Sequence, residues 1–115
     1  MESYREDEAE IGVLILVGQM NMYNLDSVRM PIKAMITEGR LRICVDFAHV
    51  ESIDSAALGT LINVVSQLRK RGGFIVLCNV GPGVQKVIKL TRLTNFFQIA
   101  PTRADAITQL RRLPA

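Results

Sequence analysis

Tryptophan is absent from this chain, histidine occurs once and cysteine twice in 115 residues. Aromatic side chains make up only 5%. That leaves little on which the bases of a single nucleic-acid strand could stack. The lone histidine, His49, and the cysteines Cys44 and Cys78 fall short of the four ligands of a structural zinc site, and they lack the spacing of a metal clip. Both cysteines sit inside apolar runs, "RICVDF" (42–47) and "FIVLCN" (74–79), so buried, reduced thiols are expected. Long apolar stretches are missing too. The longest, Val13 to Val17, is strand-sized, far below the roughly 20 residues that cross a bilayer. The opening "MESYREDEAE" is acidic and polar, the reverse of a secretory signal, and a cytoplasmic protein is expected. Phosphate cradles of the G-x-x-x-x-G-K-[ST] or G-x-G-x-x-G type are also absent.

The hydrophobic share of 49% and charged share of 22% are those of a globular domain. The net charge is +3, unevenly placed. Glu2, Glu6, Asp7, Glu8 and Glu10 crowd one end, Arg103, Arg111 and Arg112 the other, with "RKR" at 69–71. A basic balance this mild describes a solvated surface, and no nucleic-acid partner is expected.

The pattern along the chain alternates. "IGVLILVG" (11–18) reads as a strand covered on both faces. Leu25, Val28, Ile32, Met35 and Ile36 recur at helical spacing, with Pro31 predicting a kinked or late-starting helix and Gly39 its stop. "RICVDF" is a second buried strand and "AHVES" its outgoing loop. Leu58, Leu61, Ile62, Val65 and Leu68 share one face of a helix over 55–71, ended by Gly72 and Gly73. "FIVLCN" is a third strand, and Pro82 opens a short helix carrying Val84, Val87 and Ile88. "FFQIA" (96–100) is a last short strand, and Thr102 with Asp105 caps a final helix through Ile107, Leu110 and Leu113. This order predicts a single α/β domain with a mostly parallel sheet of four to five strands and about four helices. The acidic segment 1–10, a candidate first edge strand, precedes the domain proper at 11–113.

Candidate chemistry concentrates after the second buried strand. His49 reads as a solvated loop side chain rather than a general base. Asp46 and Asp54 lie where α/β folds place ligands; their charge would suit magnesium, but no other feature supports a metal or cofactor. Nothing here amounts to an enzyme's constellation. "SIDSAALGTL" (52–61) is more informative. Asp54 or Ser55 can cap the helix that follows, and that same N-terminus would welcome a phosphate on the Ser55 hydroxyl. The first turn, "AALG", is small and apolar, and Gly59 inside a helix suggests close approach of another backbone or a partner.

"VDFAHVESIDSAALGTLINVVSQLRKRGG" (45–73) resembles the central segment of STAS domains, in particular the bacterial anti-sigma factor antagonists. Their hallmark is a strand ending in an acid, a loop, then Asp-Ser-Ser-Gly-Leu-Gly opening a helix. "LVGQMNMYN" (16–24) and "NVGPGVQKVIKLTRLTNFFQI" (79–99) resemble flanking segments, so the likeness runs from about Ile11 to Leu110. It implies a phosphorylation-switched antagonist with Ser55 as phosphoacceptor. Unphosphorylated, it would bind a serine kinase that is also the anti-sigma factor, of histidine-kinase-like ATPase fold, and release the sigma factor. A PPM-type phosphatase would restore the binding form. Asp54, Ser55, Ala56, Ala57, Leu58 and Gly59 are the expected partner-binding residues, with Asn21 and Asp46 as accessories. Ala56 and Ala57 replace the hallmark's second serine and glycine, and Asn21 stands where the family usually has an acid. Other readings stay open: a constitutive STAS scaffold in a regulatory or transport assembly, with Ser55 only a cap, or a small-molecule or nucleotide binder at the strand ends. A homodimer is compatible with either.

Overall fold

The computed structural model describes residues 1–114 and contains a sheet of five strands with four helices. In chain order these are β1 (Glu2–Arg5), β2 (Gly12–Met20), α1 (Asp26–Thr37), β3 (Arg42–Ile53) and α2 (Ser55–Lys70). They continue as β4 (Phe74–Cys78), α3 (Pro82–Leu90), β5 (Gln98–Ala100) and α4 (Arg103–Arg112). The strands lie in sequence order. β2 to β5 are parallel and β1 is antiparallel to β2.

This order fixes the layers. Each parallel crossover turns right-handed, so three successive crossovers stepping one way across a sheet leave α1, α2 and α3 on one face. Their apolar stripes meet Leu14, Leu16, Val45, Phe47, Ile75 and Leu77 in the main core. α4 follows the last strand and is free to take the opposite face. There Ala106, Ile107 and Leu110 cover Val13, Cys44, Val76 and Cys78. The thiols of Cys44 and Cys78 are buried and free, with their sulfurs 3.6 Å apart.

Three expectations change. α1 begins at Asp26 and runs unbroken through Pro31, so it does not start late. The missing amide costs one helical bond, while Val28, Ile32 and Met35 on the same helix are almost wholly buried. "AHVES" is strand, not loop: β3 extends to Ile53 and places His49 opposite Val17. Two register shifts, each giving β3 an extra residue against β2, scramble the alternation that would have revealed it. Past Asp46 this strand also pairs on one side only, which lets its side chains be polar. Finally, β5 begins at Gln98 instead of Phe96. The amides of Phe96 and Phe97 turn back to the Leu93 carbonyl, and their rings pack edge to face at 5.0 Å.

α2 ends where the sequence places its glycines. Gly72 has φ +77°, a left-handed conformation that closes helices. A Cβ on Gly73 would stand 2.6 Å from the Leu41 carbonyl oxygen, so only glycine fits.

Candidate functional site

Ser55 is the first residue of α2, and Asp54 is its N-cap. The Asp54 backbone is extended, with φ −94° and ψ 176°, which turns its carboxylate back over the helix start. Oδ1 accepts the Ala57 amide at 2.8 Å. Oδ2 accepts the Met22 amide, from the loop between β2 and α1, at 3.0 Å. The Asp54 amide in turn donates to the Met20 carbonyl at 3.0 Å. One aspartate therefore caps α2 and ties it to the loop after β2.

Ser55 is exposed, and its hydroxyl makes no hydrogen bond to the described residues. The cap is thus Asp54, and Ser55 is not needed for it. The amides of Ser55 and Ala56 also have no hydrogen-bond partner among the described residues, while those of Ala57 and Leu58 are taken by Asp54. Two free amides at the positive end of a helix dipole are suited to receive anionic oxygens beside Ser55.

The small residues after Ser55 divide. Ala56 and Gly59 are exposed, but Ala57 and Leu58 are buried at 0% and 5% exposure. Ala57 and Leu58 therefore belong to the core and present no surface to a partner, a correction to their expected role. Gly59 meets nothing: a Cβ there has no atom within 4 Å. No backbone among the described residues requires the glycine, and none of those residues fills the space above it.

Asn21 shapes the loop rather than reaching Ser55. Its Oδ1 accepts the Tyr23 amide at 2.9 Å, and its own amide donates to Asn24 Oδ1 at 2.9 Å. The turn presents Met22 and Tyr23 at 58% and 87% exposure, beside the Asp54 cap. Sequence reasoning missed this pair. The signal was an apolar couple inside the polar tetrad "NMYN".

Asp46 lies elsewhere. It pairs with Ile15, whereas the strand end at Ile53 pairs with Met20, five residues or about 17 Å further along β2, and it bonds Arg103 of α4. It is 4% exposed. Its Oδ1 accepts the Ala48 amide at 2.9 Å and the Asn79 side chain at 3.1 Å. Oδ2 receives Arg103 through Nε at 3.2 Å and Nη2 at 3.1 Å. Burial pushes the Asp46 carboxyl up, but the Ala48, Asn79 and Arg103 hydrogen bonds outweigh it and hold it below its ordinary value. Arg103 is shared with Glu6 at 2.7 Å, and that pairing most of all raises its own pKa. Asp46 thus ties β3 to α4 and is no accessory of the Ser55 loop. Nor can it join Asp54 around a magnesium ion, and among the described residues no cluster of three His, Cys, Asp or Glu is arranged to hold a metal.

Comparison with known proteins agrees with this architecture. The sequence model of the STAS domain matches residues 4–106. BtrV of Bordetella bronchiseptica, a candidate anti-sigma factor antagonist, is 31% identical over 97 residues, covering 83% of this chain and 84% of its own. The anti-sigma F factor antagonist of Paenibacillus polymyxa is 27% identical over 108 residues, covering 91% and 92%. The crystal structure of a candidate anti-sigma factor antagonist of Thermotoga maritima superposes with a TM-score of 0.88 at 25% identity, over 96% of this chain and 95% of that one.

Proposed function

The chain belongs to the STAS domain family, and from that premise we propose that it is an anti-sigma factor antagonist switched by phosphorylation of Ser55. In the unphosphorylated form, Ser55, Ala56, Gly59 and the adjoining loop with Met22 and Tyr23 dock on an anti-sigma factor that is itself a serine kinase. The sigma factor is then released. Transfer of the γ-phosphoryl group of ATP to the Ser55 hydroxyl, with loss of its proton, ends the association. A PPM-type phosphatase hydrolyses the phosphoester and restores it. The protein's part is binding, not catalysis, and it acts in the cytoplasm.

The observation that carries this reading is the division of labour between Asp54 and Ser55. Asp54 alone caps α2, leaving the Ser55 hydroxyl exposed and unbonded beside two free amides. A serine kept only as a cap would have been engaged. A phosphate there adds a charge of about −1.5 to −2 beside the small, uncharged surface of Ala56 and Gly59. Against a partner carboxylate about 4 Å away, each unit of that charge costs about 4 kcal/mol at an effective dielectric of 20. That exceeds a hundredfold in affinity.

Incubation with the cognate kinase and ATP, followed by peptide mass spectrometry, tests the site. Phosphate on Ser55, with loss of binding by Ser55→Asp and retention by Ser55→Ala, is the expected result. Phosphate elsewhere overturns the assignment. Undiminished binding by both variants would instead support a constitutive scaffold.

A further inference from the structure

From a groove remote from Ser55, we infer a binding site for an aliphatic anion, of the class of medium-chain carboxylates, between α1 and α2. The two helices leave an open cavity of about 340 Å³, within the usual range of small-molecule pockets. On α1 its lining runs from Arg29 to Thr37, a rise of about 12 Å along the helix. On α2 it begins at Thr60 and reaches the C-cap, Arg71, so it follows the turns beyond the Ser55 loop.

The lining chemistry selects the ligand. Ile32, Ile36 and Val64 make an apolar floor, extended by the methylene stems of the long basic side chains. Three cations, Arg29, Lys33 and Arg71, stand at the rim, and no carboxylate lines the groove. Arg29 is neutralised by Asp26 at 2.8 Å. Lys33 and Arg71 have no carboxylate within ion-pair distance among the described residues. Two unneutralised cations over aliphatic side chains call for an anion with an apolar body. An inorganic anion would leave the floor wet, and an uncharged hydrocarbon would leave the cations unused. No aromatic ring lines the cavity, so a nucleobase would find nothing to stack on. Asn63 and Gln67, also in the lining, supply neutral donors toward the head group.

Titration of the ¹⁵N-labelled full chain with sodium decanoate, below its micelle concentration and followed by two-dimensional NMR, tests the site. Saturating shifts confined to the facing stripes of α1 and α2 are expected, with decanol binding at least about tenfold more weakly. The charge-reversed pair Lys33→Glu with Arg71→Glu should weaken decanoate by a further order of magnitude or more. Asn63→Trp, which fills the groove from an exposed position, should do so without reversing charge. Thermal melts confirm that each variant folds. Absent or scattered shifts, equal binding of decanol and decanoate, or undiminished binding by both variants overturns the inference. So does an acidic amphipathic peptide that saturates the groove where decanoate fails, which would make the site a dock for a partner helix.

Discussion

Asp46 and Asp54 belong to one run of chain, β3 and the α2 cap that follows it, yet their surroundings are opposite. Asp46 is enclosed by an arginine, an asparagine and a backbone amide, all from its own molecule. Asp54 spends its oxygens on two amides and holds the ends of two segments in place. Beside it the Ser55 hydroxyl, two amides and the space over Gly59 are left unfilled. A closed polar cluster is what a fold uses to fix an element, here α4. An open one, on a rigid strand end and helix start, is what a regulator can use. The lesson is that the same residue type signals stability or function according to how fully its neighbours satisfy it.

The contrast can be broken most forcefully at Ser55. Ser55→Asp should reduce affinity for the kinase-type partner by more than about a hundredfold, measured by calorimetry, while the thermal midpoint stays near that of the parent. The converse is Asp46→Ala. It leaves Arg103 with Glu6 as its one remaining carboxylate partner among the described residues and the Asn79 amide without Asp46, and should lower unfolding free energy by about 2–3 kcal/mol, read from urea denaturation, with partner affinity intact. That lies below the cost of breaking a fully buried pair because Arg103 is 35% exposed.

Asp54→Ala removes a cap and the tie to Met22. A loss of about 1–2 kcal/mol is expected, together with faster hydrogen exchange at the Met22 and Ala57 amides. This variant sharpens the comparison, since it alone should affect both stability and binding. A smaller effect follows from pH. The Asp46 carboxyl titrates below its unfolded value, so its contribution is fully present above the ordinary carboxylate pKa of about 3.9. It is lost as pH falls through the lower folded-state value. Urea midpoints should therefore drop on acidification below about pH 4, and Asp46→Asn should flatten that limb. Ser55→Ala should change stability least, by no more than about 0.5 kcal/mol, because the hydroxyl makes no hydrogen bond among the described residues.

Much of the architecture was legible from local pattern. The α2 stripe, the glycine stop at 72–73 and the Thr102 cap, which accepts the Asp105 amide at 3.1 Å, are short-range features. That Asp54 or Ser55 caps α2 was legible too, but only the fold assigns the cap to Asp54 and leaves Ser55 exposed. The extension of β3 was hidden because its bulges break the period of two, and burial on one side leaves few apolar markers. The burial of Ala57 and Leu58 was hidden for another reason. "AALG" contains only small or apolar residues, and the turn's phase against the core is set by where the strand delivers it.

By itself the sequence determined the order of strands and helices, the family likeness and the candidacy of Ser55, because periodicity, caps and hallmark residues are read within a few positions of each other. Only the tertiary structure decided which aspartate is closed and which is open. Arg103 reaches Asp46 across 57 positions, and Met22 reaches Asp54 across 32. Partners that distant are brought together by the right-handed crossovers that stack α1 to α3 on one face and leave the other to α4, and no local rule anticipates them.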